Sequence, residues 1–183
     1  GTIVLGGIET DFADVLFGDH GRVDQAEGVE RIRSVDLVEL VEAEAMDNGG
    51  IDQLFGERGD DILMGGAASD SILDLEGNNI AFGDNGRVSW TSQDLDRTDL
   101  DLIESIGLII GSNDSVILGD GTDVAIGGNG EDNIVAGNGR NVVFGDNGRL
   151  LAAAVDEHRF GSLPLTLELV ETIGAGIGAS DEI

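Results

Sequence analysis

A nine-residue recurrence constrains this chain more than any other feature. Asp52, Asp61, Asp70 and Asn79 are spaced nine apart, and Asp114, Asp123, Asp132 and Asn141 repeat that spacing 62 residues later. The segment Phe82-Gly83-Asp84-Asn85-Gly86-Arg87-Val88 returns at the same shift as Phe144-Gly145-Asp146-Asn147-Gly148-Arg149-Leu150. It has an earlier relative in Phe17-Gly18-Asp19-His20-Gly21-Arg22-Val23. Self-similarity at a fixed period means that one small structural unit is stacked many times. Between the nonapeptide runs lie longer inserts. Each returns through an aliphatic-acidic segment: Leu37-Val38-Glu39, Leu102-Ile103-Glu104 or Leu169-Val170-Glu171. The chain divides into a partial repeat with insert (1–46), a full repeat with insert (47–110), and a third (111–183). The third closes on Ser180-Asp181-Glu182-Ile183, which resembles the opening Asn113-Asp114-Ser115-Val116 of another run. The expectation is a piece of a longer array.

Each unit, for example Gly127–Val135, opens with six residues of turn chemistry. Glycine permits positive φ, and Asn or Asp tolerates it. The last three residues are a short strand, apolar throughout at the eighth position: Leu54, Leu63, Ile72, Ala81, Val116, Ala125, Ile134 and Val143. The seventh position alternates polar and apolar, Gln53, Ile62, Ser71, Ile80 and then Ser115, Val124, Asn133, Val142. Two units therefore make one coil of 18 residues. The fold class expected is all-β, with stacked coils forming two parallel sheets and with β-strand or hairpin inserts. Eighth residues point inward, seventh and ninth outward. One sheet then carries an apolar outer face (Ile62, Ile80, Val124, Val142) that something must cover. The inserts are the candidates, and a neighbouring chain is the alternative. Ser34–Met46 alone could be an amphipathic helix. Its counterparts contain Gly107 and Gly174, which favours strand in all three copies.

The composition decides what such a stack needs. There are 37 acidic residues against 9 basic ones, all arginine, for a net charge of -28, and there is no cysteine. No basic face exists for nucleic acid, no apolar run is long enough for membrane insertion, and disulfides and thiol chemistry are excluded. Stacking places Asp52 near Asp70, and Asp114 near Asp132. At 5 Å and an effective dielectric near 20, two such charges repel by about 3 kcal/mol. A divalent ion between the turns reverses the sign. Carboxylates with turn carbonyls are the hard oxygen donors that Ca²⁺ takes six to eight at a time.

These units resemble the hemolysin-type calcium-binding nonapeptide, G-G-x-G-x-D-x-U-x, of the RTX proteins. Gly127–Val135 fits well, Gly56–Met64 departs at Glu57, and Gly65–Leu73 departs at Ala68. The resemblance implies a parallel β-roll (a β-solenoid) with Ca²⁺ in its turns, type I secretion and an extracellular or cell-surface location. By position, the implied metal ligands are Asp52, Asp61, Asp70, Asp114, Asp123 and Asp132. Asn79 and Asn141 hold the same place without charge. Asp84 and Asp146, with Asp19, occupy another turn position, where they ligate or only make Asx-turns.

His20 stands where the other copies have Asn and reads as a turn residue; His158 reads as surface. Glu39, Glu104 and Glu171 are expected to pair with Arg22, Arg87 and Arg149. Nothing forms a catalytic constellation. The function expected is a non-catalytic, calcium-rigidified repeat segment of a large secreted bacterial adhesin, surface-layer or filament protein. The alternatives are a calcium-dependent secretion and folding module of a type I-secreted enzyme, and a halophilic solenoid screened by bulk salt. Expected partners are calcium ions and neighbouring repeats or copies of the chain, head to tail.

Overall fold

A computed structural model describes residues 2–4, 13–25, 38–44, 46–94, 97–154 and 159–183. Among these residues the chain is all-β, with three sheets and no helix. The chain alternates between two parallel sheets. The first takes β1 (Thr2–Val4), β5 (Gln53–Phe55), β7 (Ser71–Glu76), β11 (Ser115–Asp120) and β13 (Asn133–Val135), side by side in that order. The second takes β2 (Val15–Phe17), β6 (Ile62–Met64), β8 (Ile80–Phe82), β12 (Val124–Ile126) and β14 (Val142–Phe144). Strands pair with their equivalents: Gln53 opposite Ser71, Ile62 opposite Ile80, Ser115 opposite Asn133, Val124 opposite Val142. The 18-residue period is thus a pairing register. Eighth-position side chains meet between the two sheets in one core of Leu16, Leu54, Leu63, Ile72, Ala81, Val116, Ala125 and Ile134, with Val143 against it.

The third sheet is antiparallel and built from the inserts. It runs β16 (Leu167–Thr172), β15 (Gly148–Ala152), β10 (Leu102–Ser105), β9 (Gly86–Ser89), β4 (Val38–Ala43) and β3 (Gly21–Gln25). It supplies the cover that the apolar face requires. Ile62, Met64, Ile80, Phe82, Val124, Ile126 and Phe144 pack in a second core with Val41, Val88, Trp90, Leu100, Ile103 and Leu150. Among the described residues the first sheet has no such cover: Ile117 and Val135, also ninth-position residues, are exposed. All three returning segments are strands.

The hinge into each insert explains the Phe-Gly-Asp-x-Gly-Arg signature. A methyl on Gly21, Gly86 or Gly148 would collide with the ring of Phe17, Phe82 or Phe144, so the ring packs directly on the glycine backbone. The next residue starts a charge ladder that crosses the antiparallel sheet. Arg22 faces Glu42, Glu42 faces Arg87, Arg87 faces Glu104, Glu104 faces Arg149, and Arg149 faces Glu171. Arg87 bonds Glu42 at 2.9 Å and Glu104 at 3.2 Å. This corrects one expected pairing. The counterpart of Glu104 is Glu42, three residues beyond Glu39, because Leu40-Val41-Glu42 rather than Leu37-Val38-Glu39 occupies the matching register. Glu39 bonds Arg97 instead. His20 is exposed, with Nε2 3.2 Å from Asn48 Nδ2, and His158 lies outside the described residues.

Candidate metal centre

The sixth residue of each unit ends the turn, where its carboxylate can reach the backbone of the coil before it. Along one edge, the N–H of Asp52 donates to Asp70 Oδ1 at 2.7 Å, Asp70 to Asp114 at 2.7 Å, Asp114 to Asp132 at 2.8 Å and Asp132 to Asp181 at 3.0 Å. Along the other edge, Asp14 donates to Asp61 at 2.6 Å, Asp61 to Asn79 at 3.0 Å, Asn79 to Asp123 at 2.8 Å and Asp123 to Asn141 at 3.0 Å. Steps of 18 residues within a copy become 44, 47 or 49 across an insert, yet the bond is the same. The inserts therefore leave the stack without interrupting it.

One oxygen of each carboxylate is used in this way. The other, Oδ2 of Asp61, Asp70, Asp114, Asp123 and Asp132, is buried and has no hydrogen-bond partner. On the first edge the Oδ2 of Asp70 and of Asp132 faces the glycine that opens its own unit, with a carbonyl of the next coil opposite, and Asp114 Oδ2 faces Gly83 across the insert. A methyl on Gly65 would lie 2.7 Å from Asp70 Oδ2 and collide with the carbonyl of Gly83. A methyl on Gly83 would lie 2.6 Å from Asp114 Oδ2 and 2.5 Å from the Gly127 carbonyl. Gly127 repeats the arrangement with Asp132 Oδ2 and the Gly145 carbonyl. Each glycine thus leaves open a small space walled by one carboxylate oxygen and a turn carbonyl.

Burial raises these carboxyls from the ordinary 3.8, because the charged form has lost its water. Asp70 is pushed up to about 7, Asp114 to about 9, Asp61 to about 8, and Asp123 and Asp132 to about 6. The backbone N–H bonds oppose the rise but do not cancel it. Among the described residues no three acidic or imidazole side chains converge on one metal position. A cation here would be held by one or two carboxylates, with backbone carbonyls completing the shell. That donor set of oxygen alone, with a flexible ligand count, fits calcium.

The expected site residues fall into separate groups. Asp52, Asp70, Asp114 and Asp132 line one edge. Asp61, Asn79, Asp123 and Asn141 line the other. Asn141 Nδ2 donates to the Ala136 carbonyl at 2.6 Å, so its amide meets the carbonyl in place of a cation. Asp84 ties turns together: Oδ1 accepts from the Ser112 N–H at 3.2 Å and Oδ2 from the Asn129 N–H at 2.5 Å. Asp19 does the same with Gly50 and Ala67, and Asp146 accepts from Ala179. Each clasps the chain re-entering from an insert. Asp84 also lies beside Asp114, and burial pushes it up to about 8. Sequence reasoning missed Asp74, which is 1 % exposed and has neither oxygen partnered. Its signal was an acid at the first position of its unit, where glycine stands in Gly56, Gly65, Gly83 and Gly127.

In-register turn carboxylates over glycine-walled spaces define a calcium-binding repeat module. The profile of the RTX calcium-binding nonapeptide repeat matches in 4 copies, over residues 46–72, 64–87 and 111–149. The chain thus carries RTX calcium-binding nonapeptide repeats, and RTX nonapeptide repeats bind calcium. No curated protein and no solved structure matches it. Among the described residues no helix is long and apolar enough to cross a membrane.

Proposed function

We propose that this chain is a calcium-rigidified β-roll segment of a large secreted bacterial protein of the adhesin, surface-layer or filament kind. The two parallel sheets with their shared core would be the roll, and the antiparallel sheet its permanent cover. The observation that carries this reading is the first edge. There Asp52, Asp70, Asp114, Asp132 and Asp181 follow one another in one hydrogen-bonded column, and the buried Oδ2 atoms of Asp70, Asp114 and Asp132 are unpartnered. Bound calcium supplies the positive charge that lets stacked carboxylates ionise at neutral pH. In this reading Asp52, Asp70, Asp114 and Asp132 hold it with the glycine carbonyls, and Asp61 and Asp123 do so on the opposite edge. Asn79 and Asn141 continue the ladder without charge. Asp84 and Asp146 clasp the re-entering chain, and Asp84 adds its carboxylate beside Asp114.

Because metal binding and ordering of the turns are one equilibrium, the chain folds where calcium is abundant. Sites of extracellular modules work at roughly 10⁻⁴–10⁻³ M, far above cytosolic calcium, which suits export before folding. Circular dichroism during titration of chelator-stripped protein with calcium tests this. The expected outcome is a cooperative gain of β signal. A fully folded spectrum in EGTA at low salt near pH 8 would refute it, and folding by molar NaCl alone would support a halophilic solenoid instead.

A further inference from the structure

The second edge contains an arrangement that the nonapeptide pattern does not describe. Four positions follow the ninth residue of their units along the first sheet: Gly56 and Ala136 just after β5 and β13, and Asp74 and Leu118 within the longer β7 and β11. Leu118 lies opposite Asp74 in the register of β7 and β11, and its side chain is buried in the inner core. Asp74 therefore sets a carboxylate where the next copy sets hydrocarbon. Its two oxygens and Asp61 Oδ2 are all buried and accept no hydrogen bond of good geometry, the Glu76 N–H and the Asn79 amide being the donors near Asp74. They are close together: a methyl on Gly56 would fall on Asp74 Oδ2 and lie 2.9 Å from Asp61 Oδ2. Asp123 Oδ2, on the following coil of the same edge, is likewise buried and unpartnered. None of the arginine ion pairs among the described residues involves Asp61 or Asp74.

Two facing carboxylates, desolvated and without a cationic side chain, are strongly unfavourable unless a proton or a metal ion lies between them. We propose that Asp61 and Asp74 hold a calcium ion of their own on the second edge, with Asp74 supplying the charge that Asn79 lacks in the column. The site rests on the reading of the chain as a calcium binder. It differs from the repeating sites in its donors: here the first-position residue coordinates through a side chain. Asp74 offers two oxygens and Asp61 one, and turn carbonyls provide the remainder of an oxygen shell of six or more. Gly56 is needed beneath them because any side chain there would occupy the space of the ion.

The test counts calcium ions per chain in the full-length protein, stripped with chelator and titrated with CaCl₂ by equilibrium dialysis and calorimetry. The variants are Asp74→Asn and Asp74→Leu. Leucine is the residue the fold already accepts at the register-matched position 118, so this variant keeps the fold. Both variants should bind one calcium fewer than the wild type, with at most a few-fold change at the remaining sites and an unchanged β spectrum in saturating calcium. An unchanged count in folded Asp74→Leu would overturn the site and leave Asp61 and Asp74 sharing a proton. Absence of calcium binding by the wild type would instead overturn the functional reading as a whole, so the two failures are distinguishable.

Discussion

Removing calcium should make the fold prefer acid, and the size of the effect follows from the buried carboxyls. Each of these groups is raised in the folded chain, so each contributes stability that is complete below its unfolded value of 3.8 and lost as pH rises through its folded value. Asp123 and Asp132, raised from 3.8 to about 6, cost about 3 kcal/mol each once ionised in the metal-free fold. Asp70, raised to about 7, costs about 4 kcal/mol. Together these three match the whole stability of an ordinary domain, about 5–15 kcal/mol. Chelated protein should therefore be folded near pH 5 and lose its β signal progressively between about pH 5 and 8. With saturating calcium the dependence inverts, because ionised carboxylates bind the metal and protons compete with it. Denaturation followed by circular dichroism across this pH range, in EGTA and in calcium, measures both arms. Calorimetry near pH 6 in buffers of different ionisation enthalpy should record protons released on calcium binding. A chelated chain equally stable or more stable at pH 8 than at pH 5 would refute the reasoning, as would calcium binding with no proton release.

Two further predictions concern the sheets and turns. Val124→Asp buries an unpaired charge between the second and third sheets and should cost about 4 kcal/mol or more, whereas Ser115→Asp, on the outer face of the first sheet, should cost less than about 1 kcal/mol; chemical denaturation in calcium compares them. Glu57 and Ala68 adopt φ of 74° and 76°, which L side chains disfavour by about 1–2 kcal/mol. Glu57→Gly and Ala68→Gly should each raise the melting temperature of the calcium-bound chain, and a lower value in both would show that the strain is absent.

The period of the fold could be read from the chain because it rests on physical alternation. Ile62, Ile80, Val124 and Val142 need cover, Gln53, Ser71, Ser115 and Asn133 do not, and a two-unit coil is the arrangement that separates them. The two departures from the nonapeptide, Glu57 and Ala68, turn out to be the described non-glycine residues with positive φ. Register in the inserts was less legible. Leu37-Val38-Glu39 and Leu40-Val41-Glu42 are the same triplet twice, and only contact with Val88 and Arg87 selects the second. The clasps of Asp19, Asp84 and Asp146 were hidden for a different reason. Their partners lie 28 to 48 residues away, across an insert, or on another coil, and no local pattern announces them.

The Arg–Glu ladder has a consequence for length. Each full copy contributes two strands to every sheet: β5 and β7, β6 and β8, β9 and β10, then β11 and β13, β12 and β14, β15 and β16. Neighbouring strands are about 4.8 Å apart, so all three layers advance by about 10 Å per copy. Because the layers advance in step, no mismatch accumulates between the two parallel sheets and the antiparallel one, and the alternating charges meet correctly at every junction. The unit is commensurate with itself. A gene could lengthen such a structure by duplicating whole copies, each a fixed increment, without altering a single contact rule.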